Sequence, residues 1–139
     1  MWEEIKQAIV SIIKEQVTLV ADENVLDYEK SLPDGYPAIT VVPDGGDGEF
    51  LDTQRNQRNY TFKIRIFHER VSDQREAERI VTAVLDQFIS VFDDPDQTTL
   101  NNTVIFNQPS EVSWGYITAP DVDVRIAEVK LTAVRVANA

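Results

Sequence analysis

Cysteine is absent from the chain, and histidine occurs only once, at position 68. Without cysteine the chain has no disulfide, no thiol nucleophile and no cysteine-based zinc site, and its composition is compatible with a reducing compartment. A lone histidine lacks the partners that a metal site or a catalytic pair requires. We therefore expect His68, which lies beside Glu69, to be a surface or hydrogen-bonded residue.

The sequence also lacks a long apolar run. No segment approaches the roughly 20 apolar residues of a membrane-spanning helix, and the start, Met1-Trp2-Glu3-Glu4, lacks the basic residues of a signal peptide. We expect a protein that is made and used in a cytoplasm and that has no membrane partner.

Basic residues are few, 13 against 24 acidic residues, and the formal net charge is -11. Such a charge repels the phosphate backbone and disfavours duplex binding as the main role. The distribution is uneven, because residues 55–79 carry a net charge of +3 and the remainder carries -14. A molecule with one basic band and acidic ends can attract copies of itself head to tail.

Catalytic motifs are missing as well. The chain contains no phosphate-binding glycine loop and no Gly-x-Ser-x-Gly elbow, and its acids show no spacing that implies a catalytic pair. Residues 43–49 combine three glycines with three acids, but Gly46 and Gly48 stand where an EF-hand needs ligands. We expect no enzyme, no cofactor and no metal site.

What the sequence does contain is an amphipathic pattern over residues 73–92, enough for a helix about 30 Å long. Its apolar residues share one arc of the helical wheel: Ala77, Ile80, Val81, Val84, Leu85, Phe88, Val91 and Phe92. Asp73 can cap the first amides, Glu76 completes a capping box, and Pro95 prevents continuation. Such a helix needs a sheet against which to bury its apolar arc.

Two neighbouring patterns complete the first half of the fold. Residues 60–66 alternate between apolar and polar side chains, which predicts a strand with one covered face. Residues 2–18 repeat apolar side chains at helical spacing, and Trp2 is expected to be a core anchor in preference to a partner-binding residue. Residues 25–30 are either a short strand or an irregular crossing.

Residues 36–42, 104–106, 112–116 and 122–136 are predicted as further strands, with Trp114 covered on one face. The last run changes its apolar phase, so either both faces of a central strand are buried or a bulge near Ala127 and Glu128 switches the phase.

These patterns predict a single α+β domain over residues 1–139. The predicted order is α-β-β-α-β-β-β. The sheet is antiparallel or mixed, with two helices packed on one face.

The candidate functional residues belong to an interaction surface. Residues 43–49 are typical of a mobile hairpin loop or an interaction arm, and the apolar Phe50 and Leu51 beyond them favour the arm. The basic residues nearby are expected on the uncovered face or edge, either to discourage unwanted strand pairing or to meet the acidic loops of a neighbour. The full candidate set is Asp44, Asp47, Glu49, Phe50, Leu51, Arg55, Arg58, Lys63 and Arg65.

Several segments together resemble one known family. They are the leading amphipathic helix, the run Tyr36-Pro37-Ala38-Ile39-Thr40-Val41, the Gly/Asp segment, the basic and aromatic strand over residues 58–67, the second helix and the long closing strand. This arrangement resembles the tail terminator, or tail completion, proteins of long-tailed bacteriophages. Other phage neck and minor tail proteins have similar dimensions.

The resemblance implies a structural virion protein that forms a ring, usually of six copies. Such a ring binds the end of the tail tube, stops its growth and offers a docking surface to the head connector or neck protein. It would act at the tail–neck junction after assembly in the host cytoplasm, and genomic DNA would only pass through its channel. The acidic balance fits, since acids facing the channel would repel DNA. The alternatives are another phage neck or minor tail protein, and a monomeric or dimeric binding module that uses the open sheet face.

Overall fold

A computed structural model describes residues 1–30, 33–50, 55–69, 74–97, 99–100, 104, 106–119 and 122–138. At residues 47–50, 55–56, 74, 106, 119, 122 and 137–138 it describes the backbone alone. In this part of the chain the helices and strands are α1 Trp2–Gln16, β1 Val25–Leu26, β2 Ala38–Phe50, β3 Arg55–Glu69, α2 Gln74–Phe92, β4 Phe106–Ala119 and β5 Val122–Asn138. Short 3₁₀ turns occupy Asp22–Asn24 and Pro95–Gln97.

The strands form one sheet in the order β1-β2-β3-β5-β4. β1 runs parallel to β2, and the other neighbouring strands are antiparallel. Residues of both helices share one core with the sheet, so both helices lie on the same face. The predicted fold class, α+β with two helices on one face of the sheet, is confirmed, and the sheet is of the mixed type.

The core lies between the helices and this face of the sheet. Its buried side chains come from both helices and from alternate positions of the long strands, among them Ile5, Ile9, Ile13, Ile39, Val41, Phe62, Ile64, Ile66, Val81, Val84, Phe88, Ala127, Val129 and Leu131. The apolar arc predicted for the second helix is confirmed, with only Ile80 and Val91 partly exposed. Burial of each large apolar side chain contributes about 1.5–3 kcal/mol to stability. The side of each strand that carries these side chains therefore faces the helices.

The end of α1 is connected to α2 by one glutamine. α1 ends at Gln16, two residues before the predicted Thr18. The Gln87 side chain in α2 donates to Thr18 Oγ1 at 3.0 Å and accepts from the Leu19 amide at 3.1 Å. The bond from Leu19 satisfies a backbone amide that lies beyond the last turn of α1 and has no helical partner. The predicted cap at Asp73 lies outside the described residues.

Residues 43–49 do not form the loop that their glycines and acids suggest. β2 continues through them to Phe50 and pairs with β3, with one irregularity that leaves Asp44 outside the ladder. Gly46 suits this position because an added Cβ would lie 2.6 Å from the Asn59 carbonyl oxygen and 2.8 Å from the Trp2 ring. The segment is therefore an extended strand that packs beside a tryptophan.

The strands predicted over residues 104–106 and 112–116 are one strand, β4, which begins at Phe106. Its register shifts between Ser110 and Ser113, where Glu111 adopts a φ of 47°. Such an irregularity lets a strand continue past a local break in pairing, which explains why the sequence suggests two short strands.

β5 lies between β3 and β4 and keeps an unbroken register against β3. The apolar phase change in its sequence therefore comes from burial on both faces of a central strand, and no bulge occurs at Ala127 and Glu128. Within residues 25–30, Val25 and Leu26 form the short strand β1.

Part of the sheet extends past the helices. The pairing of β3 with β5 continues from the core residue Phe62 to Arg55 and Asn138, and β2 accompanies it to Phe50. Five strand residues add roughly 17 Å of length. Residues 45–50, 55–59 and 135–138 are called the arm.

Candidate interaction surfaces

On the face without helices, two lysines share one carboxylate. Lys63 and Lys130 lie opposite each other in β3 and β5, and Asp44 lies 3.5 Å and 3.4 Å from their ammonium nitrogens. Lys130 also lies 3.4 Å from Glu111. The hydrogen bond to Glu111 and the charge of Asp44 raise the pKa of Lys130. The acids thereby offset the repulsion of two facing like charges.

A second group of ion pairs lies beside the lysines. The Arg65 guanidinium is 3.1 Å from Glu128 and 2.8 Å from Glu29. Lys63 and Arg65, two of the candidate interface residues, thus have acidic partners within their own chain. The open face presents balanced charge at these positions, and exposed pairs of this kind contribute only about 0–1 kcal/mol each.

At one end of the open face is a small apolar cluster. Ala38, Phe67 and Val124 are buried there, and Tyr36, Ile117 and Ile126 pack against them. Burial raises the pKa of Tyr36, and the nearby charge of Glu69 adds to the effect. The cluster is closed by its own side chains, so it is a minor second core.

The outer edge of β4 is exposed. β4 is the last strand of the sheet formed by the described residues. Its first half contains Pro109 and the irregularity at Glu111, both of which hinder pairing with another strand. Residues 113–119 contain neither proline nor charge, and Trp114 and Tyr116 are 43% and 59% exposed. Trp114, predicted to be covered on one face, has the Arg125 guanidinium over its ring, and it is partly exposed because β4 is the outermost strand.

Arg125 holds these two aromatic rings in place. Its guanidinium carbon lies 4.9 Å from the centre of the Trp114 ring and 4.5 Å from that of Tyr116. The guanidinium reaches Glu78 of α2 at 2.8 Å and 3.0 Å, and it donates to the Gly115 carbonyl at 3.3 Å. Because Arg125 is only 8% exposed, these contacts fix the rings before any partner arrives.

The opposite flank has a different surface. A cleft of about 470 Å³ opens beside the arm and the start of α1. It is lined by Met1, Trp2, Gly46, Arg58, Asn59 and Tyr60. Trp2 packs edge-on against Tyr60 and Phe62, with ring centres 4.9 Å and 5.4 Å away, yet remains 37% exposed. Trp2 therefore packs on core aromatics, as predicted, and also forms a wall of the cleft.

Arg58 lies in this cleft and not on the open face. The alternation of β3 places Arg58 on the same side as Tyr60 and Phe62. Of the expected positions, the face or edge without helices, the open face is wrong for Arg58, because Arg58 shares the even parity of these aromatic residues in β3. Arg135 of β5 lies directly opposite, on the same side. Within the described part of the chain neither arginine has an acid within 4.0 Å.

His68 packs against a neighbouring aromatic side chain. Its ring lies edge-on to Tyr36 with centres 6.2 Å apart, and its buried Nδ1 has no hydrogen-bond partner. Burial lowers the pKa of His68, and the charges of Glu69 and Glu76 partly oppose this effect. Among the residues described, no cluster of three or more His, Cys, Asp or Glu could hold a metal ion.

The remaining candidate residues belong to the arm or adjoin it. Asp47, Glu49 and Phe50 lie in β2 and Arg55 lies in β3, where the backbone alone is described. Leu51 lies outside the described residues. The structure thus brings most of the candidate set into one hairpin, while it separates Arg58 from the lysines by strand alternation.

Sequence reasoning missed Tyr116, Arg125 and Arg135 as surface determinants. Trp114 and Tyr116 alternate with serine and glycine, a pattern that also occurs in strands whose aromatic residues are buried. Their exposure follows only from the position of β4 at the edge of the sheet. The opposition of Arg58 and Arg135 depends on register, which charge counting does not provide.

Comparison with known proteins finds no matching family model and no matching curated protein. Across the described ranges, neither helix has the length and apolar character needed to cross a membrane.

Proposed function

We propose that this chain is a structural subunit that assembles head to tail into a ring, as a tail terminator-like protein of a long-tailed bacteriophage. The ring, of six copies, caps the tail tube, stops its growth and provides the docking surface for the head connector or neck protein. It acts in the virion at the tail–neck junction, after assembly in the host cytoplasm. The subunit performs no catalysis and needs no cofactor.

The observation that carries this proposal is the exposed β4 edge with Trp114 and Tyr116. An exposed edge segment without proline or charge, residues 113–119, with aromatic rings beside it, is typical of protein–protein contacts. The ion pair between Arg125 and Glu78 keeps both rings in one orientation, which lowers the entropy lost when a partner binds.

The two flanks of the sheet differ, which favours a ring over a symmetric dimer. One flank presents the β4 edge, and the other presents β1, the side of β2 and the cleft beside Trp2. A contact that joins unlike surfaces repeats from copy to copy and closes into a ring when the rotation permits. The bacteriophage role itself is supported by the resemblance in element order and by the acidic net charge, which suits a channel for DNA.

The open sheet face is a poorer docking surface than the flanks. Lys63, Arg65 and Lys130 are already paired with acids of the same chain. A ligand would have to compete with these pairs, whereas a partner at the β4 edge would meet the outermost strand of the described sheet and its exposed rings. This comparison favours the assembly role over the binding module.

The experiment is a charge placed on the β4 edge. Tyr116→Lys adds a cation beside the outer strand, which opposes strand contacts; because it also removes the ring that contacts Arg125, circular dichroism must show that the variant is folded. Tyr28→Lys is the matched control, because Tyr28 is 52% exposed and lies outside β4.

We expect annular particles in negative stain for the wild type and for Tyr28→Lys, and monomers by sedimentation velocity for Tyr116→Lys. Compact globules for the wild type would refute the ring, and unaffected rings in Tyr116→Lys would refute this edge as the contact.

A further inference from the structure

Two arginines of the arm have no acidic partner among the described residues of their own chain. Arg58 and Arg135 face each other across β3 and β5, on the side of the sheet that bears the helices. Facing like charges destabilise a strand pair, and Asp44 shows how the chain resolves the same problem for Lys63 and Lys130. At the two arginines, no described residue of the same chain supplies the equivalent carboxylate within 4.0 Å.

Three carboxylates elsewhere on the molecule have no cationic partner among the described residues. Asp93, Asp94 and Asp96 follow α2 and are exposed, and no described cation lies within 4.0 Å of them. The segment is held in one shape, since the Asp94 side chain accepts from the Asp96 amide at 2.9 Å. The end of the segment is hydrogen-bonded to β4: the Asn107 side chain donates to the Gln97 carbonyl at 2.7 Å. The acids are thus presented beside the β4 flank.

We propose that the arm arginines bind the acidic segment of the next copy, residues 93–96, so that the cleft beside Trp2 holds the carboxylates of a neighbour. This inference rests on the proposed ring. Both groups lie at the same end of the sheet: Arg58 lines the cleft beside Trp2, Arg135 faces it from β5, and the acids lie near the start of β4. In a ring of side-by-side copies, the β4 side of one copy meets the cleft side of the next, which brings the acids of one copy to Arg58 of its neighbour.

The aromatic wall strengthens the ion pairs that form there. Trp2 and Tyr60 line the cleft beside Arg58 and exclude water on one side. Charged hydrogen bonds are stronger in such partly desolvated sites than on an open surface. Two guanidinium groups can take two carboxylates, and guanidinium is suited to bidentate pairing with a carboxylate.

The test is reciprocal charge reversal. One variant carries Arg58→Glu with Arg135→Glu, and the other carries Asp94→Lys with Asp96→Lys. Each reverses one side of the contact, so we expect the concentration at which rings form to rise by about tenfold or more in each variant. Mixed one to one, the variants restore complementary pairs, and we expect rings by sedimentation velocity. Lys14→Glu and Glu15→Lys, at exposed positions of α1, are the matched controls and should leave rings unchanged.

Cysteine trapping gives an independent test if a reversed variant fails to fold. Because the chain has no cysteine, Arg135→Cys and Asp94→Cys on separate molecules can form only intermolecular disulfides. We expect a crosslinked pair on mixing and oxidation, and none when Glu15→Cys replaces Asp94→Cys.

The outcomes separate this inference from the ring itself. Rings that survive both reversals, or variants that do not recover on mixing, would overturn the inference and leave the ring intact. A wild type that forms no ring would overturn the proposed function. Binding of a single-stranded oligonucleotide by the arginines, with ring formation unaffected by their reversal, would assign the site to nucleic acid and overturn the contact.

Discussion

At the scale of single residues, Gly46 controls how closely the arm lies against Trp2. A Cβ at this position would meet a backbone oxygen at 2.6 Å and the Trp2 ring at 2.8 Å. Backbone cannot yield as a flexible side chain does, so we expect Gly46→Ala to lower the free energy of unfolding by about 1–3 kcal/mol. Urea unfolding measures the change, and near-ultraviolet circular dichroism reports the altered packing of the tryptophan.

Gly45→Ala is the matched control. The same methyl group at Gly45 meets nothing within 4 Å, and no described glycine has a positive φ. This substitution should therefore leave the free energy of unfolding nearly unchanged. Equal losses in both variants would contradict the account, because they would show a general effect of alanine in this strand.

His68 should make stability depend on pH near neutrality. Burial lowers the pKa of His68 in the folded state, so the unfolded chain binds more protons below its own histidine pKa of about 6.5. The free energy of unfolding therefore decreases as the pH falls through about 6.5 and levels off below the folded pKa.

The variant His68→Gln isolates this contribution. It keeps a polar side chain but cannot titrate, so we expect a smaller loss of stability between about pH 7.5 and 5.5 than in the wild type. Urea unfolding at both values gives the comparison, with Glu69 and Glu76 unchanged. An identical loss in the variant would assign the pH dependence to other groups.

At the scale of elements, the tip of the β2–β3 hairpin should be dispensable for folding. Residues 48–58 can be replaced by a two-residue Asn-Gly turn that joins Asp47 to Asn59, which face each other in the ladder. Among the described side chains of that segment, Gln57 and Arg58, none is buried. We expect the shortened chain to unfold cooperatively and to remain monomeric by sedimentation velocity. Rings formed without the tip would show that the arm does not span the junction between copies.

The elements also show how far periodicity determines the fold. The apolar arc of α2 and the alternation in β3 predicted both their positions and their buried faces, because burial alone sets those patterns. Residues 43–49 were not recognised as strand, since glycine and aspartate disfavour strands in isolation, and pairing with β3 together with the approach of Trp2 outweighs that tendency.

The candidate surface was less predictable than the core. The band over residues 55–79 was identified correctly as basic, but its residues diverge in space: Lys63 and Arg65 meet acids on the open face, while Arg58 lies in the cleft. Strand alternation and register determine on which face of the sheet each of these side chains lies. Arg135, which faces Arg58, is 77 positions away in the sequence. Charge composition therefore indicated an interaction protein without locating its contacts.

At the scale of the whole molecule, the two flanks explain why one small subunit would form a closed assembly. The β4 flank combines exposed aromatic rings with acids, and the arm flank combines a cleft with arginines. In the proposed ring, the acids near the start of β4 in one copy would meet Arg58 in the cleft of the next copy.

The mass of the assembled protein tests this central claim most directly. Native mass spectrometry across a concentration series should show a species of six subunits, which at 15.8 kDa each is about 95 kDa, with no larger open chains, because a ring leaves no flank free. A monomer at every concentration, or a dimer that never grows, would contradict head-to-tail closure.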